Sequence, residues 1–147
     1  MEKNGNSRKN VQKTFEQRVS MKNAKEIIQK FFQLLNEKEY GALEEMMHDD
    51  LRWWIIGDIK TSGEKDKRLM LLGFKFLKRI FQNFKFILHD FTIEDNRVAV
   101  TAESEAIHKT GFKYNNHYHF LFFLEGEKIK SVKEYFDTKL ASVIESL

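Results

Sequence analysis

Two hydrophobic periods divide the chain. Up to about residue 83 apolar positions recur mostly at helical spacing, and beyond it they recur every second residue. Ile27, Ile28, Phe31, Phe32, Leu34 and Leu35 share one broad face and predict a helix from about Asn23 to Leu35. A short second helix is expected over about Tyr40 to Met47, ending near Asp49 and Asp50. "LRWWII" then reads as a strand closed by Gly57, and "IGDIKTSGEKDK" as a loop with two glycines. Glu64 to Asn83 predicts a long helix, apolar on more than half its circumference, which other structure must cover.

The later alternation predicts strands at about 84–94, 97–108, 112–124 and 128–137, separated by "EDN", "KTG" and "EGE" turns. "TKLASVIESL" closes the chain as a helix with Leu140, Val143, Ile144 and Leu147 on one face. Helices gathered early and a strand meander late give an α+β domain. The first twenty residues are polar and basic and read as a mobile lead, leaving residues 21–147 as one domain.

The alternation raises a chemical question in "KIKSVKEYFDTK". Val132, Glu134 and Phe136 share a face, so a carboxylate sits between apolar neighbours on what reads as the buried side. Burial raises a carboxyl pKa, and such a group is suited to proton transfer near neutrality. The alternative is a buried glutamate hydrogen-bonded to Tyr114, Asn116 or Tyr118. Those three lie in step with Phe120, Phe122 and Leu124, so they face inward too. They are placed either to contact a ligand or to form a self-satisfied polar ladder.

Asp137 precedes the last helix, where a carboxylate accepts hydrogen bonds from free backbone N–H groups, and it is also a catalytic candidate. Glu103 and Glu105 lie on the solvated side of their strand, opposite Val98, Val100 and Ala102; Glu103 is a second candidate. His117 and His119 form H-x-H on a strand, but no third ligand is near, so no metal is expected. They travel with Leu121 and Phe123 on the outer face, where apolar residues suggest cover by a partner.

Composition narrows the classes. Five basic and two acidic residues in positions 1–20 account for the whole net charge of +3, so the remaining chain is balanced and nucleic acid is not an expected partner. The most apolar stretch, "RLMLLGFKFLKRIFQNFKFIL", carries five cations and cannot span a membrane. No signal-peptide core opens the chain, and there are no cysteines. A cytoplasmic location without membrane association is expected. The glycines form no phosphate-binding pattern, and no cofactor is expected.

"IIQKFFQLLNEKEYGALEEMMHDDLRWWIIGD" followed by "YNNHYHFLFFLEGEKIKSVKEYFDT" resembles the nuclear transport factor 2-like superfamily, in its SnoaL-like, ketosteroid-isomerase-related branch. The match runs over most of residues 22–138. It implies a cone: a curved mixed sheet wrapped around a long helix, with an apolar pocket inside and homodimers through the outer sheet face. Ketosteroid isomerases use a tyrosine on the first helix and an aspartate on the first strand. The matching positions here hold Phe31 and Ile55, which can neither donate a hydrogen bond nor take a proton. Limonene-1,2-epoxide hydrolases place arginine and aspartate where this chain has Glu103 and Glu105. Only Glu134, near the acid of the final strand, carries over.

The resemblance therefore implies a pocket lined by Phe31, Leu35, Trp53, Ile55, Tyr114, Asn116, Tyr118 and Phe120. Its occupant would be a small hydrophobic molecule. Two functions follow: a cofactor-free isomerase, cyclase or hydrolase in which Glu134 moves a proton, or a binding or protein-interaction module without chemistry. The expected dimer face carries His117, His119, Leu121 and Phe123.

Overall fold

The first helix shows how the local sequence sets both an element and its end. In the computed structural model, which describes residues 23–147, α1 covers residues 23–36 and buries Ala24, Ile28, Phe31, Phe32, Leu34 and Leu35. The expected lead over residues 1–20 lies outside the described residues. The helix stops where Lys38 takes a left-handed conformation (φ 61°). The Lys38 N–H then reaches the Leu35 carbonyl and the Glu39 N–H that of Leu34, at 3.2 and 2.9 Å. This paired arrangement satisfies carbonyls that a helix end leaves open.

Three further helices follow among the described residues: α2 (Tyr40–Glu45), α3 (Lys67–Ile80) and α4 (Thr138–Glu145). The strands are β1 (Met47–Ile55), β2 (Gly63–Lys65), β3 (Phe81–Glu94), β4 (Arg97–His108), β5 (Lys113–Tyr114), β6 (His117–Glu125) and β7 (Lys128–Phe136). They form one curved, open sheet in the order β2-β1-β7-β6-β4-β3, with β5 paired to β4. Only the β1–β7 pairing is parallel, so the sheet is mixed. Irregular register in β1–β7, β3–β4 and β6–β7 bends it. The α+β class and the mixed sheet agree with the sequence reading.

Several boundaries differ from that reading. The second helix ends at Glu45, and Met47 to Asp50 already belong to β1, where Met47 pairs with Ile129. Leu43, Met46 and Met47 mimic helical spacing, but the buried Met47 is the first inward residue of a strand. The "loop" after Gly57 contains β2, whose three residues carry no apolar alternation yet pair with Trp53 to Ile55. The long helix is shorter than Glu64–Asn83. The Asp66 carboxylate caps its start through the Leu69 N–H at 2.9 Å, and Phe81 is already extended opposite His108. The strand expected over 112–124 is interrupted between β5 and β6 at Asn115 and Asn116.

The core lies between the concave face of the sheet and the two long helices. Phe31 and Phe32 of α1 and Phe74 of α3 meet Trp53, Phe86, Phe120 and Phe122 from three strands. Neighbouring rings in this group sit 5.2–6.3 Å apart, mostly edge-to-face, as their quadrupoles favour. The cover expected over all of α3 is incomplete: Met70 and Phe74 are buried, whereas Leu69, Leu72 and Phe76 are exposed. Among the described residues no helix is long and apolar enough to cross a membrane.

A second, smaller cluster of Phe81, Ala106 and Tyr114 receives Leu140 and Ile144 of α4. Asp137 caps α4 by accepting from the Lys139 and Leu140 N–H groups at 3.0 and 3.2 Å. Glu145 at its other end accepts from the backbone of Lys60 and Thr61. Gly57 adopts φ 98°, and a Cβ there would lie 2.7 Å from Thr138 Cγ2, so the close approach of β1 and α4 needs a glycine.

Candidate functional site

Pleating puts Glu134 on the concave side of β7, between Val132 and Phe136 and opposite Ile55 of β1 and Phe120 of β6. Its Oε1 accepts a hydrogen bond from Trp53 Nε1 at 2.8 Å, and its backbone carbonyl accepts from the Ile56 N–H at 3.0 Å. The side chain is part-buried. Burial nevertheless dominates its ionisation: it raises the carboxyl to about 7, while the Trp53 hydrogen bond and the Lys65 charge pull weakly the other way. The partner expected for a buried Glu134 was Tyr114, Asn116 or Tyr118, and the structure supplies an indole instead. One oxygen is thus fixed by a neutral donor, and Oε2 has no hydrogen-bond partner among the described residues.

Beyond Glu134 on the same face, a polar group links β4, β5 and β6 to the β7–α4 junction. Asn116 Nδ2 donates to the Tyr114 hydroxyl and to the Asp137 carbonyl, both at 2.9 Å. Asn116 Oδ1 accepts from the His117 and Asp137 backbone N–H groups. All four positions of the amide are therefore filled, so Asn116 braces the junction rather than offering a free group. Tyr118 donates to Ser104 Oγ at 3.2 Å and lies 3.4 Å from the Tyr114 hydroxyl. Burial raises both phenols, Tyr118 well above the usual value, and the charge of Glu134 adds to the shift. Both stay protonated at neutral pH and remain donors.

Ser104 is wholly buried and accepts from the Asn116 N–H at 3.0 Å as well. Sequence reasoning missed it, although it continues the inward series Val98, Val100 and Ala102 on β4. Phe136, opposite Tyr118 across the β6–β7 ladder, was likewise read only as a neighbour of Glu134.

The expected pocket residues divide into two groups. Phe31, Trp53 and Phe120 are 0–1% exposed and packed ring against ring, so no water-sized space adjoins them. Leu35, Ile55, Tyr114 and Tyr118 are buried but retain slight exposure. A separate open hollow of about 550 Å³ lies where β3, β4 and β5 meet, lined by Gln82, Asn83, Lys85, Ile107 and Tyr114 among others. It shares Tyr114 with the polar group but does not include Glu134.

The remaining candidates lie apart from Glu134. Glu103 is on the convex face, where Asn115 Nδ2 donates to it at 2.8 Å and His89 Nε2 lies 3.0 Å away. These partners, Asn115 first, hold its carboxyl below the usual range. Asp137 is committed to capping α4. His117 and His119 point outward beside Leu121 and Phe123, which are part-buried by their surroundings. Trp54 packs edge-on against Tyr135 on that same face, with centroids 5.4 Å apart.

The model of the SnoaL-like domain matches residues 28–132. No curated protein matches the chain in sequence. Among solved structures, PrhC from Penicillium brasilianum is similar with a TM-score of 0.79 at 14% identity, over 86% of this chain and 88% of that one. The BvnE pinacolase from Penicillium brevicompactum gives 0.76 at 14% identity, over 85% and 90%. A nuclear transport factor 2-like protein from Burkholderia xenovorans gives 0.72 at 17%, over 85% and 97%. At such identities the structural likenesses establish the fold alone. With its matched span, its mixed curved sheet and its concave polar end, the chain belongs to the SnoaL-like family of the nuclear transport factor 2-like fold.

Proposed function

We propose that the chain is a cofactor-free enzyme acting on a small hydrophobic molecule, with Glu134 as the group that moves a proton. The observation that carries this reading is the setting of Glu134. Its carboxyl is poised at about 7, one oxygen is fixed by Trp53, and protonated Tyr118 and Tyr114 lie on the same concave face. A carboxylate of that pKa is half ionised at neutral pH, where general-base and general-acid roles are both open to it. The Tyr114 hydroxyl accepts from Asn116 and has no acceptor for its own proton among the described residues. It would donate to an oxygen of the substrate as charge develops there, with Tyr118 holding it in place. Ile55, Leu35 and Phe136 offer the apolar contacts. One structural neighbour is a pinacolase, so the fold accommodates enzymes.

The second reading is a binding module without chemistry. The tight ring packing of Phe31, Trp53 and Phe120 favours it, because it leaves the narrow end of the concave face without free volume. On either reading two copies would pair through the convex face, where Leu121 and Phe123 lie beside His117 and His119. Sedimentation of the wild type against Phe123→Glu tests that pairing, which a wild-type monomer would exclude.

The catalytic reading is tested by incubating the protein with small cyclic ketones and epoxides in deuterated water. Label incorporation and products are followed by mass spectrometry. Turnover should rise as pH passes through about 7 and fall about 10²–10⁴-fold in Glu134→Gln. Bound but unconverted ligands would leave the binding reading in its place, and turnover untouched by that substitution would take Glu134 out of the mechanism.

A further inference from the structure

Helix α3 has two apolar faces, and the fold uses one. At about 100° per residue, Met70, Phe74 and Leu77 fall together on the side that packs on the core. Leu69, Leu72 and Phe76 fall on the opposite side and are 48%, 50% and 56% exposed. Three large apolar side chains in one row on an α-helix, all at least about half exposed, are a contiguous patch rather than scattered surface residues.

Gly73 lies beside that row. A glycine inside a helix costs about 1 kcal/mol relative to alanine. Nothing in the chain requires it: a Cβ at position 73 would meet nothing within 4 Å, and its φ is not positive. The residue leaves a notch between Leu69, Leu72 and Phe76 into which another backbone can come close. Charge adds a direction. The helix carries Lys67, Arg68, Lys75, Lys78 and Arg79 and no acid. Lys67 is engaged by Asp49 at 3.2 Å, whereas Arg68, Lys75 and Arg79 lie along one edge of the exposed row.

We propose that this face of α3 docks an amphipathic helix of another protein, with an apolar seam seated at Gly73 and acidic residues along the edge facing Arg68, Lys75 and Arg79. The chain's own first twenty residues do not suit the site, being basic themselves. A second copy would set five cations of one α3 against five of the other, which repel. A lipid surface would use the leucines and cations but has no use for the notch. Helix-in-groove recognition uses all three features, with anchors at i, i+3 and i+7. The surface is distinct from the concave face holding Glu134.

The test uses the full chain and two fluorescent peptides of about 20 residues, long enough to form a helix. They share one Leu/Ala seam and differ only in flanks of Glu or Lys. The Glu-flanked peptide should bind with micromolar affinity that weakens as salt is raised, and the Lys-flanked one should not. Leu72→Gln and Phe76→Gln, both surface changes, should each weaken binding at least about tenfold, or about 1.4 kcal/mol. Gly73→Ala should raise the melting temperature while weakening the peptide by a similar factor, a combination that simple loss of folding cannot give. Equal binding of both peptides, no binding of the acidic one below about 1 mM, or binding unchanged in Phe76→Gln would overturn the proposal. So would phosphatidylserine vesicles capturing the chain as well as its Gly73→Ala variant while the acidic peptide is ignored.

Discussion

Glu134 and Glu103 are the same side chain on the two faces of one sheet, and their surroundings push them in opposite directions. Glu134, on the concave face among Val132, Phe136, Ile55 and Phe120, is raised to about 7 by burial despite a 2.8 Å hydrogen bond from Trp53. Glu103, on the convex face, takes hydrogen bonds from Asn115 and His89 and is held below the ordinary range. Hydrogen bonding to a carboxylate favours its charged form in both cases. At Glu134, however, burial outweighs a single hydrogen bond, whereas at Glu103 two hydrogen bonds and the neighbouring histidines outweigh what little burial there is. Chemical potential in this fold is therefore decided by the pleat. One residue of register moves an acid from a proton-transferring setting to a solvated ion pair.

That contrast can be broken at Trp53, where the largest effect is expected. Trp53→Phe removes the donor to Oε1 and part of a buried ring, so the protein should lose about 2–4 kcal/mol of stability at pH 8. The Glu134 carboxyl should then titrate above its present value of about 7. Chemical denaturation and a carboxyl NMR titration read the two effects separately. An unchanged titration would show that the indole does not act on the carboxylate.

A smaller effect is expected at Glu134, with a sign that depends on pH. Its folded pKa of about 7 lies above the ordinary 4.5, so the folded state holds the proton more tightly than the unfolded chain. The stability this gives is present below about 4.5, falls as pH rises through the window from 4.5 to 7, and is gone above it. Glu134→Gln removes the penalty of the buried charge. The variant should exceed wild type by about 2–3 kcal/mol at pH 8 and match it near pH 4.5. Equal stability at both pH values would remove the desolvated acid from the account.

The smallest effect belongs to Glu103, with the opposite sign. A depressed carboxyl stabilises the fold above its unfolded pKa and loses that contribution as pH falls through its folded value. Glu103→Gln should therefore be slightly less stable than wild type at neutral pH and equal to it in acid. A variant more stable at neutral pH would show the convex carboxylate to be strained rather than paired.

The inward set of each long strand was legible because alternation is strong: Val98, Val100 and Ala102 on β4, and Tyr118, Phe120 and Phe122 on β6, lie where their pattern puts them. Glu134 was legible for the same reason. Ser104 was not, since a serine between two alanines reads as neutral until its neighbours across the sheet are known. The donor role of Trp53 depends on the parallel pairing of β1 with β7, a contact across eighty-one residues that no local pattern encodes. β2 was lost because its pairing is carried by backbone groups rather than apolar side chains. For α3, an apolar surface over more than half the circumference implied cover all round, whereas the fold covers the side of Met70 and Phe74 and leaves Leu69, Leu72 and Phe76 exposed.

The central claim is that desolvation, against a single neutral donor, holds Glu134 ready to exchange a proton at neutral pH. Its most direct test is a titration of the Glu134 side-chain carboxyl carbon by NMR, assigned by its loss in Glu134→Gln. The account predicts a midpoint near 7. A midpoint at or below 4.5, the value of an ordinary glutamate, would contradict it.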